Sequence, residues 1–263
     1  MPTFSEEHNE FLRKRKKEKI IILSSQIGII LFFILIWQIA ADKELINTFL
    51  FSSPKKILET LISLLNNNLL KHIWITTYET IVSFLISSIL GLIIATILWS
   101  NKILAKIIDP YLTVINSLPK VALGPLIIIW VGASTNSIIF MALMISLIIS
   151  IINIYNAFIS TDNNYITLLK SQKAKKYQIF TKVILPSNKQ NIINTLKINI
   201  SMSLIGVIMG ELLVSKEGLG YLIMYGSQVF NIGLTITSVV LLGTLSYLMY
   251  FIINKIEKII IKN

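Results

Sequence analysis

Apolar runs recur along this chain at a length that only a lipid bilayer explains. They extend from Ile20 to Ala41, Ile75 to Trp99, Ile107 to Val131, Ser137 to Asn156, Ile192 to Val214 and Leu234 to Ile253. A bilayer-spanning helix needs ~20 mostly apolar residues. In lipid every backbone polar group must be bonded internally, which leaves helices and closed barrels. Runs this long and this apolar are helices. Charged residues make up 14% of the 263, against roughly 25% in soluble domains. Mean hydropathy is +0.74. The water-soluble class is thereby excluded, and the expected fold class is all-α: a polytopic membrane protein with six transmembrane helices.

The net charge of +11 suggests nucleic acid until its distribution is considered. The lysines and arginines cluster beside the apolar runs, as the positive-inside rule places them. Residues 1–19 form a basic tail ending in Arg13-Lys-Arg-Lys-Lys-Glu-Lys19. The run at 20–41 is too long for the apolar core of a cleaved signal peptide, about 7–15 residues, so it reads as a signal anchor. Residues 42–72 are polar and mixed, with Ser52-Ser53-Pro54 opening an amphipathic segment. That segment lies on the outer membrane surface or forms an ordinary half-buried loop helix. Lys102, Lys106, the lysines between 170 and 197, and Lys255, Lys258 and Lys262 fall on the opposite side from Lys43, Lys55, Lys56, Lys71 and Lys216. Both termini are therefore expected in the cytoplasm of a cell-membrane protein, with 256–263 as a short inner tail.

Two stretches depart from the plain spanning pattern. The run from Ile107 to Val131 contains Asp109-Pro110, Leu118-Pro119-Lys120 and Gly124-Pro125. Proline removes a donor and clashes within a helix, so no straight helix passes through. Broken helices at membrane depth mark transport routes as well as simple kinks; Pro119, Lys120 and Pro125 are candidate route residues. The second stretch, Tyr165 to Pro186, carries Lys170, Lys173, Lys175, Lys176 and Lys182 without an acid. Leu168, Leu169, Ala174, Tyr177 and Phe180 recur at helical spacing, and Pro186 is expected to stop the helix. It reads as an amphipathic cytoplasmic helix, placed to pass motion to a soluble partner.

Catalytic chemistry is hard to place. There is no cysteine, and His8 and His72 are far apart in sequence, so no metal or cofactor is expected. No glycine precedes Lys-Ser or Lys-Thr, so a P-loop is missing and any ATP hydrolysis belongs to another chain. Glu79 and Glu211 lie near the outer ends of their spans. An acid in a membrane segment usually serves helix pairing or a pathway, so structural or gating roles are expected of them rather than paired carboxylate chemistry. Gly206-Val-Ile-Met-Gly210 has the spacing that lets helix backbones approach closely.

These residues carry a resemblance. Asn116-Ser-Leu-Pro-Lys-Val-Ala-Leu-Gly-Pro-Leu-Ile-Ile-Ile-Trp-Val-Gly132 is similar to the third core helix of permease subunits of binding-protein-dependent ABC importers, in the nitrate/sulfonate/taurine branch. The stretch ending Val183-Ile-Leu-Pro186 resembles that superfamily's cytoplasmic EAA loop. Gly210-Glu-Leu-Leu and Glu217-Gly-Leu-Gly-Tyr-Leu-Ile223 resemble the segment after the fifth helix. The resemblance implies a type I importer permease core over 73–255, with a coupling loop at 157–191. It also implies two ATPase subunits, an external solute-binding protein and a permease homodimer in the lipid bilayer, with no nucleic acid. In the loop, Leu168, Leu169, Tyr177 and Phe180 would be apolar anchors on the ATPase; Ala174, Val183, Leu185 and Pro186 match the family. Thr167, Leu168 and Leu169 replace Glu-Ala-Ala, and Lys173 stands where the family has Gly, a backbone position lysine occupies only at a cost. Glu79 stands where relatives commonly carry Arg. Glu211, Gly218 and Gly220 join the prolines as route or gating candidates. The implied solute is small and organic or oxyanionic: a sulfonate, taurine, nitrate, a thiamine-pyrimidine precursor or riboflavin. The alternative is a stand-alone secondary transporter, which predicts internal repeats and more intramembrane charge.

The charge asymmetry makes one prediction. A reporter fused after Asn263, or inserted near Asp162, will behave as cytoplasmic, and one at Asn47 as external. Protease protection of the Asp162 insertion in inside-out vesicles would reverse the orientation.

Overall fold

The structure, a computed structural model, describes residues 6–261; residues 1–5 of the N-terminal tail and 262–263 of the C-terminal tail lie outside it. The described residues form helices α1 (Glu6–Asp42), α2 (Thr48–Phe51), α3 (Pro54–Leu65), α4 (Leu69–Ser100), α5 (Lys102–Ser117) and α6 (Gly124–Val131). There follow α7 (Thr135–Ile159), α8 (Asn163–Ser171), α9 (Lys176–Ile179), α10 (Leu185–Ser187), α11 (Lys189–Val214), α12 (Leu219–Gln228) and α13 (Ile232–Ile261). Five of these are long and apolar enough to cross a membrane: α1, α4, α7, α11 and α13. The pair formed by α5 and the stretch Lys120–Val131, bent by 87°, is apolar enough to count as a sixth when taken as one broken span. The chain is an all-α, multi-pass membrane protein.

Two compact units divide near Ser63. In the first, α1 is one continuous helix, so the basic stretch from Arg13 to Lys19 belongs to its first turns rather than to a separate polar tail. A run of lysines and glutamates has good helix propensity, and nothing in it stops the helix. The Gln38 amide donates to Asp42 at 2.8 Å and its oxygen accepts from the Lys55 backbone N–H at 3.0 Å, which ties α1 to the start of α3. Ser53 Oγ accepts from the Lys56 N–H and Pro54 fills the first turn of α3, where a missing donor costs nothing.

In the second unit the core is the packing of α4, α7 and α11. The buried face of α4 is small along its middle, at Thr76, Thr80, Ser83, Ser87, Gly91 and Ala95, with Leu69, Glu79 and Leu98 the larger members. Lipid is as apolar as leucine, so small residues that allow close contact drive helices together in a membrane. Hydroxyls on this face bond back to their own helix, as Thr80 to the Thr76 carbonyl and Ser83 to the Glu79 carbonyl. Other side chains bridge helices: Asn199 of α11 donates to Ser87 at 3.0 Å and Ser88 at 2.7 Å on α4. The Gly206–Gly210 spacing is the α7–α11 contact. A Cβ on Gly206 would sit 2.4 Å from the Ala142 Cα, and one on Gly210 3.0 Å from the Ile138 Cα.

The third apolar run breaks where two of its three prolines predict it. Pro119 precedes a short 3-10 turn at Lys120–Leu123, and Pro125 starts α6. Pro110, in contrast, sits inside α5, because one lost hydrogen bond is tolerated within an otherwise favourable helix. Spans α4 and α13 extend beyond the apolar limits read from sequence, since Leu69–Trp74 and Asn254–Ile261 continue in helix past the last strictly apolar residue. The inner tail expected at 256–263 is therefore helical to Ile261.

Candidate functional site: a helical loop and a carboxyl knot

The segment between α7 and α11 is a folded unit with closed ends. Asp162 caps α8 by accepting from the Asn164 N–H at 2.9 Å. Asn188, at the far end, is buried and donates to Thr161 Oγ1 at 2.7 Å and to the Ile184 carbonyl at 2.9 Å. The loop is clasped at its base by Thr161 and Asn188, a pair no local motif announces.

Its turn follows from backbone bonding. The Ala174 N–H donates to the Leu169 carbonyl at 3.0 Å and the Lys173 N–H to the Lys170 carbonyl at 2.9 Å. These two bonds form the Schellman end of α8, which requires a left-handed residue just past the cap. That residue is Lys173, with φ of 58°. Leu169 and Ala174, which meet in such an ending, both pack on the core cluster of Ala95, Ile154, Phe158, Ile179 and Ile184.

Phe180 is placed differently from its expected role. Its ring lies 5.2 Å from Trp99 and edge-on to Phe158 at 5.5 Å, centroid to centroid. The anchors thus divide into two sets. Leu169 and Phe180 turn inward onto the chain's own spans, whereas Leu168 is 57% exposed and Tyr177 76%. The expectation that Phe180 is an outward anchor is corrected: α9 is short, and the chain passes into a π-helical turn at Phe180–Ile184 that rotates the ring toward α4 and α7. The same turn corrects the expected stop at Pro186. The Leu185 N–H reaches the Phe180 carbonyl, the wider spacing absorbs the missing proline donor, and the chain remains helical through α10 before α11 begins at Lys189. Lys176 also donates to the Ser100 carbonyl at the end of α4.

At the end of the bundle away from this loop, the start of α4 and the end of α11 meet the start of α12. Glu211 is 1% exposed and Glu79 wholly buried, and their carboxyls are neighbours. α4 and α11 pass alongside each other, and their register brings these ends together. Thr76 Oγ1 donates to Glu211 Oε1 at 2.6 Å and accepts from the Leu219 N–H at 2.8 Å. The Gly220 N–H donates to Glu211 Oε2 at 2.6 Å. Glu211 therefore satisfies the first turn of α12, where free N–H groups and the helix dipole favour an anion. Gly218, at φ 103°, leaves no room for a side chain, since a Cβ there would lie 2.2 Å from Glu211 Oε1. Its N–H donates to His72 Nδ1 at 3.0 Å, and Lys71 pairs with Glu217 across the same turn. A cavity of ≈ 660 Å³ adjoins the knot, lined in part by Tyr78, Glu79, Thr135 and Lys216.

The structure does not bring the other route candidates into either group. Pro119 and Pro125 are exposed on the broken third crossing, where Lys120 Nζ bonds Asn116 Oδ1 at 3.1 Å and the Asn116 carbonyl. Among the described residues no group of three or more His, Cys, Asp or Glu could hold a metal ion.

Comparison with known proteins agrees with this architecture. Residues 87–262 match the family described as binding-protein-dependent transport system inner membrane component. A formylaminopyrimidine transport permease, ThiX, of Halalkalibacterium halodurans is 26% identical over 234 residues, covering 88% of this chain and 93% of that protein. An aliphatic sulfonates transport permease, SsuC, of Bacillus subtilis is 25% identical over 230 residues, covering 87% and 83%. An inward-facing structure of the MetNI methionine ABC transporter aligns with a TM-score of 0.62 at 22% identity, over 72% of this chain and 94% of that one. It shares the fold.

The left-handed Lys173 and the inward ring of Phe180 generate a prediction. Replacing Lys173 with Gly relieves a left-handed lysine and should stabilise the chain by about 1 kcal/mol. Phe180→Ala should cost about 2–3 kcal/mol, less than a fully buried ring. Thermal unfolding of the purified variants in detergent checks both; a neutral Phe180→Ala would place the ring outside the packed cluster.

Proposed function

This chain belongs to the family of binding-protein-dependent transport system inner membrane components, the permease subunits of ABC importers, and we propose that it works as a homodimer on two ATPase subunits, taking a small solute from an external binding protein. Family membership replaces the alternative of a stand-alone secondary transporter. The permease is a transport component; hydrolysis of ATP is assigned to the partner.

The observation that carries this reading is the two-sided loop. Its inner face, Leu169, Ala174 and Phe180, is fastened to α4 and α7, so a force on the loop moves the spans. Its outer face presents Leu168 and Tyr177 among Lys170, Lys173, Lys175 and Lys176, an apolar contact ringed by positive charge. An acidic-rimmed groove on an ATPase fits that surface. The solute is assigned to the size range of a formylaminopyrimidine or an aliphatic sulfonate, the cargoes named for the relatives. The bent pair α5 and α6 exposes Ile103, Tyr111, Ile129 and Trp130, which supports a second copy covering that side and a route between the two.

The test separates docking from folding. Burying each of Leu168 and Tyr177 on a partner contributes roughly 1.5–3 kcal/mol. Leu168→Ala and Tyr177→Ala should therefore each weaken co-purification of the ATPase by about ten-fold or more, with the unfolding temperature unchanged. Full ATPase binding by the double variant would contradict this docking face.

A further inference from the structure

The carboxyl pair has an unbalanced charge. Glu211 accepts from the Thr76 hydroxyl and the Gly220 N–H. Glu79 lies against it, is wholly buried, and neither of its oxygens has a hydrogen-bond partner among the described residues. Two adjacent carboxylates in a water-poor site cannot both stay ionised without a cation. The groups facing them supply none. On α4, Lys71 is bound to Glu217, and His72 accepts the Gly218 N–H through Nδ1 and stacks on Tyr221 of α12. From α7 comes Thr135, beside Glu79, and α7 carries no charged residue. Lys216, in the turn before α12, borders the cavity and is exposed. Both arginines of the chain, Arg13 and Arg15, belong to α1.

We propose that Glu79 and Glu211 form a proton-binding site, in which one proton, taken up through the adjoining cavity, is carried on the Glu79 carboxyl and donated to the Glu211 carboxylate. The assignment between the two follows from their partners. Glu211 faces two donors at the positive end of α12 and stays an anion. Glu79 has only the Thr135 hydroxyl beside it and no backbone N–H or helix terminus to hold a negative charge, and as a neutral acid it becomes a donor itself. The proton converts a repulsion into a hydrogen bond across α4 and α11, beside the turn at Ser215–Gly220. Losing it sets two anions side by side and loosens that turn from α4. This site stands on the geometry of the pair and does not depend on the docking face or the solute.

The experiment uses the full chain in lipid nanodiscs, with infrared spectroscopy across pH and a parallel thermal-unfolding series. The wild type should show the carbonyl stretch of a buried protonated carboxylic acid at neutral pH, lost in Glu79→Gln and shifted in frequency in Glu211→Gln, where its hydrogen-bond acceptor changes. The folded chain then holds a proton that the unfolded chain releases at neutral pH, so wild-type stability falls as pH rises. Glu79→Gln imitates the neutral acid and should unfold at no lower a temperature than wild type, with a weaker pH dependence. Absence of the carbonyl band, its survival in Glu79→Gln, or a destabilised Glu79→Gln overturns the proposal. So does stability that follows sodium or potassium concentration instead of pH, because the occupant is then a metal cation.

Discussion

Close contact between α7 and α11 is the constraint on which the remaining structure depends. Gly206 meets the backbone of Ala142 where a side-chain carbon would be only 2.4 Å from its Cα. Contact at that distance fixes the crossing of the two helices and so the register of everything at their ends. Toward one end it places Glu211 beside Thr76 and Glu79. Toward the other, α7 and α11 are brought near enough for Asn188 to clasp Thr161 at 2.7 Å. Association in lipid lacks a hydrophobic driving force between helices, so packing and interhelical hydrogen bonds such as Asn199 to Ser87 and Ser88 carry it.

From this stem the division of the loop between α7 and α11 follows. In the proposed coupling role it grips its own spans and a partner at once. Phe180, between Trp99 and Phe158, supplies the inner grip, and the left-handed turn at Lys173 folds α8 back so that Leu168 and Tyr177 face away. The π-helical turn before Pro186 lets the chain run from α9 through α10 to the residue before α11 almost without interruption.

The long spans were legible in the sequence because twenty apolar residues have few alternatives, and the break at Pro119 because it combines with a lysine and a glycine. Lys173 was legible as a strained position through the family's glycine. Other features were hidden. Helical spacing puts Phe180 on the same stripe as Tyr177, and only the π turn separates their directions. Pro186 and Pro110 looked like helix stops, but local spacing and a single sacrificed bond absorb them. Paired carboxylates at Glu79 and Glu211 are disfavoured by the sequence alone because their contact depends on the register of two helices, with the residues 132 positions apart. The wide sequence separation of Thr161 and Asn188 concealed their clasp in the same way.

The stem itself is tested by substitution at its tightest point. Gly206→Val forces a side chain into the Ala142 backbone, whereas Gly243→Val, on α13 with nothing within 4 Å of its would-be Cβ, serves as the control. Thermal unfolding of both variants in the same detergent is the measurement. Overpacking of about 1–3 kcal/mol or more should lower the Gly206→Val midpoint by roughly 5 °C or more, with Gly243→Val close to wild type. If the two variants unfold at the same temperature as wild type, the α7–α11 contact does not hold the fold together.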